Sequence, residues 1–147
     1  MEALNEFWPG LADYRPALLA LAILCLAVLA QSFLAGVLAL AKGEEVPGMP
    51  LKGDHAKQSF RILRTYANSV ENLPAFATVV LLAAFAGASA MLVNWLAALH
   101  LAARLAYWGV YYGGIGRPSG GPRTVVYVIG LLANVVLAAA AILALAG

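Results

Sequence analysis

The chain has 147 residues, 63% of them hydrophobic and 11% charged, with a formal net charge of +2 and a mean hydropathy of +0.86. Soluble domains carry roughly 45–50% apolar and about 25% charged residues, so this composition excludes an ordinary soluble globule, a disordered chain and a nucleic-acid-binding module. It predicts an all-α integral membrane protein of one domain. The lone Cys25 excludes an intramolecular disulfide and, inside an apolar run, reads as packing.

A spanning helix needs about 20 mostly apolar residues. The first such run is Pro16 to Ala41, broken only by Gln31, Ser32 and Gly36. Its flank carries Glu2, Glu6 and Asp13 against Arg15 alone, without the basic start of a cleaved signal, so it is expected to be helix 1, about 16–41. The polar, turn-rich stretch that follows reads as a loop, 42–56. The apolar run Leu73–Ala86 is too short to cross by itself. Helix 2 must therefore recruit the polar residues before it and is expected over about 57–86. Helix 3 is expected over about 91–112, a Gly- and Pro-rich loop over 113–122, and helix 4 over about 123–146. Short connections make this an antiparallel four-helix bundle. Lys42, Lys52, Lys57, Arg61, Arg64, Arg117 and Arg123 all fall on one side of a four-span chain, which by the positive-inside rule puts loops 1–2 and 3–4 in the cytoplasm and both termini outside.

Charged groups within a span are costly and normally face a bundle interior or a water-filled cavity. At about 100° per residue, Arg61, Arg64, Asn68, Glu71 and Asn72 share a sector of roughly 100° on helix 2. His100, Arg104, Tyr107 and Tyr111 form a second stripe on helix 3, and Arg123, Tyr127, Gly130 and Asn134 a third on helix 4. Such stripes can hold helices together, with Glu71 paired to Arg104 or Arg64 and Asn134 bonded to a neighbour. They also carry more cations than one intramembrane carboxylate neutralises, which favours an anionic ligand. Arginines clamp carboxylates through paired N–H donors, and Glu71 can receive an ammonium, so the face suits a small zwitterion. Arg123, with the backbone N–H groups of a helix start, can stabilise a developing anion such as a thiolate. His55 reads as loop surface and His100 as a helix-facing polar residue; two scattered histidines predict no metal site. Phe60 and Tyr66 read as lipid or interface packing. Gly109-x-x-x-Gly113 would allow close helix approach.

The segment Arg61-Ile-Leu-Arg64-Thr-Tyr-Ala-Asn68-Ser-Val-Glu71-Asn72-Leu-Pro-Ala-Phe76 resembles the helix 2 signature of the MAPEG family, the membrane-associated proteins in eicosanoid and glutathione metabolism. Arg104-Leu-Ala-Tyr107-Trp-Gly-Val-Tyr111 is similar to that family's helix 3 signature, and Arg123-Thr-Val-Val-Tyr127 to the opening of its helix 4. The resemblance implies a homotrimer with glutathione in clefts between subunits. It implies Arg64, Asn68, Glu71, Arg104, Tyr107, Tyr111, Thr124 and Tyr127 as glutathione-binding positions and Arg123 as the catalytic, thiolate-stabilising residue. Lys42 stands near a family arginine. Phe60, Tyr66, Ala67 and Tyr107 depart from the pattern, as in a divergent, bacterial-type inner-membrane member.

The expected function is a membrane-bound glutathione-dependent transferase or peroxidase for detoxification. Its partners would be glutathione or a similar thiol, a lipophilic electrophile, membrane lipids and further copies of itself, with no nucleic acid. The rivals are a non-catalytic lipid-binding scaffold, in which the stripes only join helices, and a small transporter.

Overall fold

The computed structural model describes residues 8–41, 53–117 and 119–147. Lys42, Lys52 and most of the first loop lie outside the described residues. A 3-10 turn, Leu11–Tyr14, leads into α1 (Arg15–Ala41), followed by α2 (Gln58–Phe85), α3 (Ala90–Tyr112) and α4 (Pro122–Ala146). All four are long and apolar enough to cross a membrane. Even α3, the shortest at 23 residues, is roughly 35 Å long at 1.5 Å per residue, against about 30 Å of hydrocarbon.

The polar stretch beginning at Gln58 is helical and continuous with the apolar half of α2, running through Pro74. Proline removes one N–H from the ladder, a loss that spanning helices tolerate where neighbours re-satisfy the backbone. Both ends of the central pair close in the same way. After α2, Gly87 takes φ +71°, the Ala88 N–H bonds the Ala83 carbonyl and the Gly87 N–H bonds that of Ala84. After α3, Gly114 takes φ +65°, with Ile115 bonded to Val110 and Gly114 to Tyr111. These are Schellman closures, which need a left-handed residue at that position, and glycine supplies it without a Cβ penalty. Pro122 occupies the first turn of α4, where its missing N–H costs nothing.

Helices α2 and α3 pack on each other and on both outer helices, while α1 and α4 flank the pair. The centre is dry and small-residue-rich: Ala17, Leu24, Phe76, Val80, Ala83, Val93, Ala97 and Leu137 are essentially removed from solvent. Alanines let backbones approach closely, the main source of cohesion where lipid tails are as apolar as the core. Outward faces are also apolar, with Leu26, Leu29, Phe33, Leu40, Trp95 and Leu143 exposed.

Hydrogen bonds fix the helix directions. At one end the Tyr14 hydroxyl donates to the Ala88 carbonyl, Asn94 donates to the Asp13 carbonyl at 2.7 Å, and the Ala17 N–H donates to Asn94 Oδ1 at 3.0 Å. Towards the other end Gln31 donates to the Tyr112 hydroxyl at 3.1 Å. Successive helices are therefore antiparallel, and the polar halves of α2, α3 and α4 meet at one end of the bundle.

Candidate functional site

The three polar stripes divide into groups that join helices and groups that line a cavity. Arg104, 3% exposed, donates through Nη2 to Asn68 Oδ1 at 2.8 Å and lies 5.0 Å from the Tyr107 ring centre. Trp108 donates to Ser69 Oγ at 3.0 Å, and Ser69 in turn donates to the Thr65 carbonyl at 2.9 Å. Nδ1 of His100 stands 2.9 Å from the Gly130 carbonyl. A carbonyl only accepts, so Nδ1 carries a hydrogen. Phe76 stacks on this imidazole at 4.1 Å. A Cβ at Gly130 would come into ordinary contact with the Ala103 Cβ at 3.4 Å, so the space there is filled by one further carbon. Gly109 meets nothing within 4 Å and Gly113 lies beyond the helix end, so among the described residues the Gly109-x-x-x-Gly113 spacing makes no close helix contact.

Arg61 also holds structure together. Its Nη1 donates to the carbonyls of His55 and Ala56 at 2.8 Å each and its Nη2 to that of Tyr112 at 3.3 Å. It thus binds the segment entering α2 to the end of α3, over Gly114, where a Cβ would lie 3.0 Å from the guanidinium carbon. Asn72 turns its amide back to the Asn68 carbonyl at 2.7 Å.

The remaining groups surround a cavity of about 420 Å³, lined by Arg64, Asn68 and Glu71 of α2, Tyr107 of α3, Arg123, Thr124 and Tyr127 of α4, and His55. That volume falls within the ~300–1,000 Å³ of small-molecule sites. Of the two arginines weighed for Glu71, Arg64 is its partner: Nη1 to Oε1 is 3.0 Å, with the side chains 41% and 56% exposed. The rings of Tyr107 and Tyr127 lie 6.2 Å apart. Thr124 Oγ1 accepts from the Gly120 N–H at 3.2 Å, so it also ties the loop to α4.

An adjoining cavity of about 400 Å³ is lined by His55, Arg61, Tyr111, Arg123 and the segment after α3. Arg123 and His55 line both cavities. The Arg123 guanidinium lies 4.6 Å from the Tyr111 ring centre, and the Tyr111 hydroxyl is hydrogen-bonded to His55 Nδ1.

The structure thus gathers Arg64, Asn68, Glu71, Tyr107, Arg123, Thr124 and Tyr127 around one space and sets Tyr111 in the next. Arg104 does not line either cavity; it sits behind Asn68 and holds it. At the start of α4 the N–H groups of Thr124 and Val125 both bond the Gly121 carbonyl, and Pro122 has no N–H. His55, read from sequence as loop surface, is exposed but stands at the junction of the two cavities. No local pattern marks it; its place depends on Arg61 drawing its backbone against α3.

The sequence model of the MAPEG family matches residues 17–143. Comparison with curated proteins finds no match.

Proposed function

The chain belongs to the MAPEG family, which includes glutathione transferases and other members, and on that premise we propose that it is a membrane-bound glutathione-dependent transferase or peroxidase acting on lipophilic electrophiles. The observation that carries the proposal is the single cavity shared by Arg64, Glu71, Tyr107, Tyr127 and Arg123, inside a bundle whose outer faces are apolar. Its charges match a zwitterionic thiol: Arg64 for a carboxylate, Glu71 for an ammonium, and the phenols for amide groups. Arg123 stabilises the thiolate. A two-unit fall from the ordinary thiol pKa of about 8.5 corresponds to about 2.7 kcal/mol and makes thiolate predominate near pH 7. The electrophile reaches it from the bilayer, and the helix 2 groups hold the thiol where attack is short-range.

The half-exposed Arg64–Glu71 pair lies within a span, where charge facing lipid is costly. In our proposal a neighbouring copy covers this face in a homotrimer, with the thiol between subunits. The loops bearing the cavity lie on the cytoplasmic side of a bacterial inner membrane.

The test is thermal unfolding of the purified protein with and without glutathione, followed by turnover of a generic aromatic electrophile. A ligand that binds only the folded state stabilises it by about 2.7 kcal/mol at 100 times its Kd, so the melting temperature should rise with glutathione concentration. A folded trimer that glutathione does not stabilise would overturn the proposal in favour of a non-catalytic lipid-binding scaffold.

A further inference from the structure

When the thiolate forms, the thiol proton passes to water or, faster, to a positioned side-chain base, and an arginine that stabilises the anion cannot receive it. Among the described residues lining the main cavity, Arg64 is a cation, Glu71 is paired with it at 3.0 Å and is assigned above to the ligand's ammonium, and Tyr107, Tyr127 and Thr124 carry hydroxyls, which serve as hydrogen-bond partners. His55 adds an imidazole, whose neutral ring has one nitrogen with a lone pair that can accept a proton. It is exposed, so a proton placed on it has a path to water. It lines the same cavity as Arg123, and its Nδ1 is occupied by the hydroxyl of the buried Tyr111. Phe60 packs edge-on against the ring at 5.2 Å, and Arg61 holds the His55 backbone carbonyl at 2.8 Å.

We propose that His55 is the general base that takes the thiol proton, oriented by Tyr111; the inference rests on the thiol chemistry proposed above. In the operative tautomer Nδ1–H donates to the Tyr111 oxygen and Nε2 presents its lone pair to the cavity. The S–H bond breaks, its electron pair stays on sulfur beside the Arg123 guanidinium, and the proton bonds to Nε2. The imidazolium then passes the proton to water, and neutral His55 is restored. Tyr111 is a positioning residue in this scheme: it holds the ring, as the third member of a nucleophile–base–orienter set does.

The experiment is rapid mixing of the full-length purified protein with glutathione, following the ultraviolet absorbance of the thiolate, in wild type, His55→Gln and His55→Ala. Loss of one general base typically costs 10²–10⁴ in rate. Both variants should form thiolate about 10²-fold or more slowly, yet reach the wild-type amplitude, because Arg123 still stabilises the anion. Imidazole in the buffer should accelerate His55→Ala in proportion to its concentration and leave wild type unchanged. Retention of the wild-type melting temperature and of glutathione-dependent stabilisation establishes that the variants fold and bind. A wild-type rate in His55→Ala overturns the proposal, and so does a slow rate that imidazole fails to restore, which would make His55 merely structural. A wild type that binds glutathione without forming thiolate overturns the thiol-activation chemistry itself, a failure separate from that of His55.

Discussion

Arg123 is held over the Tyr111 ring at 4.6 Å and borders both cavities, so its loss removes the guanidinium proposed to stabilise sulfur while leaving Arg64, Asn68 and Glu71 in place. Arg123→Leu should lower turnover by about 10²–10³, the usual consequence of removing one preorganised donor, and raise the apparent pKa of bound glutathione. Absorbance titration of the thiolate against pH measures this; superimposable curves for wild type and mutant would show that the guanidinium does not act on sulfur. Glu71 works differently, since its carboxylate both fixes Arg64 and lines the cavity. Glu71→Gln keeps the shape and removes the charge, and glutathione binding should weaken by about 1–3 kcal/mol, the cost of losing one charge-assisted contact. Calorimetric titration of the intact protein gives the number directly, and an unchanged affinity would reject the proposed orientation of the ligand.

At the scale of the helices, α2 and α3 are joined by a buried charge-assisted bond from Arg104 to Asn68. Hydrogen bonds to charged groups contribute about 1.5–3 kcal/mol, and Asn68→Leu would leave the Arg104 guanidinium buried without that acceptor. Its unfolding free energy should fall by at least that amount, measured by denaturant unfolding in detergent; a stability equal to wild type would mean that Arg104 finds another partner. Gly130→Leu should separate α3 from α4, since a Cβ there is already in contact with Ala103 at 3.4 Å and with Arg104 at 3.7 Å, so the three carbons beyond it must displace α3; the melting temperature should fall without a change of any charge. The helices themselves were legible, three from long apolar runs and α2 from a run too short to cross without the polar residues before it, and a stripe of polar residues betrays its own face. Partner choice was not. Whether Glu71 meets Arg64 or Arg104 depends on how α2 and α3 are set against each other, which a one-helix periodicity does not contain. Ser69 gave no signal as the acceptor for Trp108, and His55 gave none because it belongs to a turn placed by three backbone contacts of Arg61 and its neighbours.

For the molecule as a whole, the segregation of lysine and arginine predicts that cysteines introduced at Lys57 and Ser119, in a Cys25→Ala background, are labelled from the cytoplasmic face alone. Labelling of the two from opposite faces would overturn the proposed topology. Helix α1 sets a further condition on the surroundings of the protein. Its 27 residues extend roughly 40 Å, more than the hydrocarbon of an average bilayer, and past its bond from Gln31 to Tyr112 it still exposes Phe33, Val37 and Leu40. A helix longer than its membrane tilts or thickens the lipid around it. The inclination of α1 against the pair α2–α3 should therefore respond to acyl-chain length, so that membrane thickness adjusts the end of the bundle where the cavities lie.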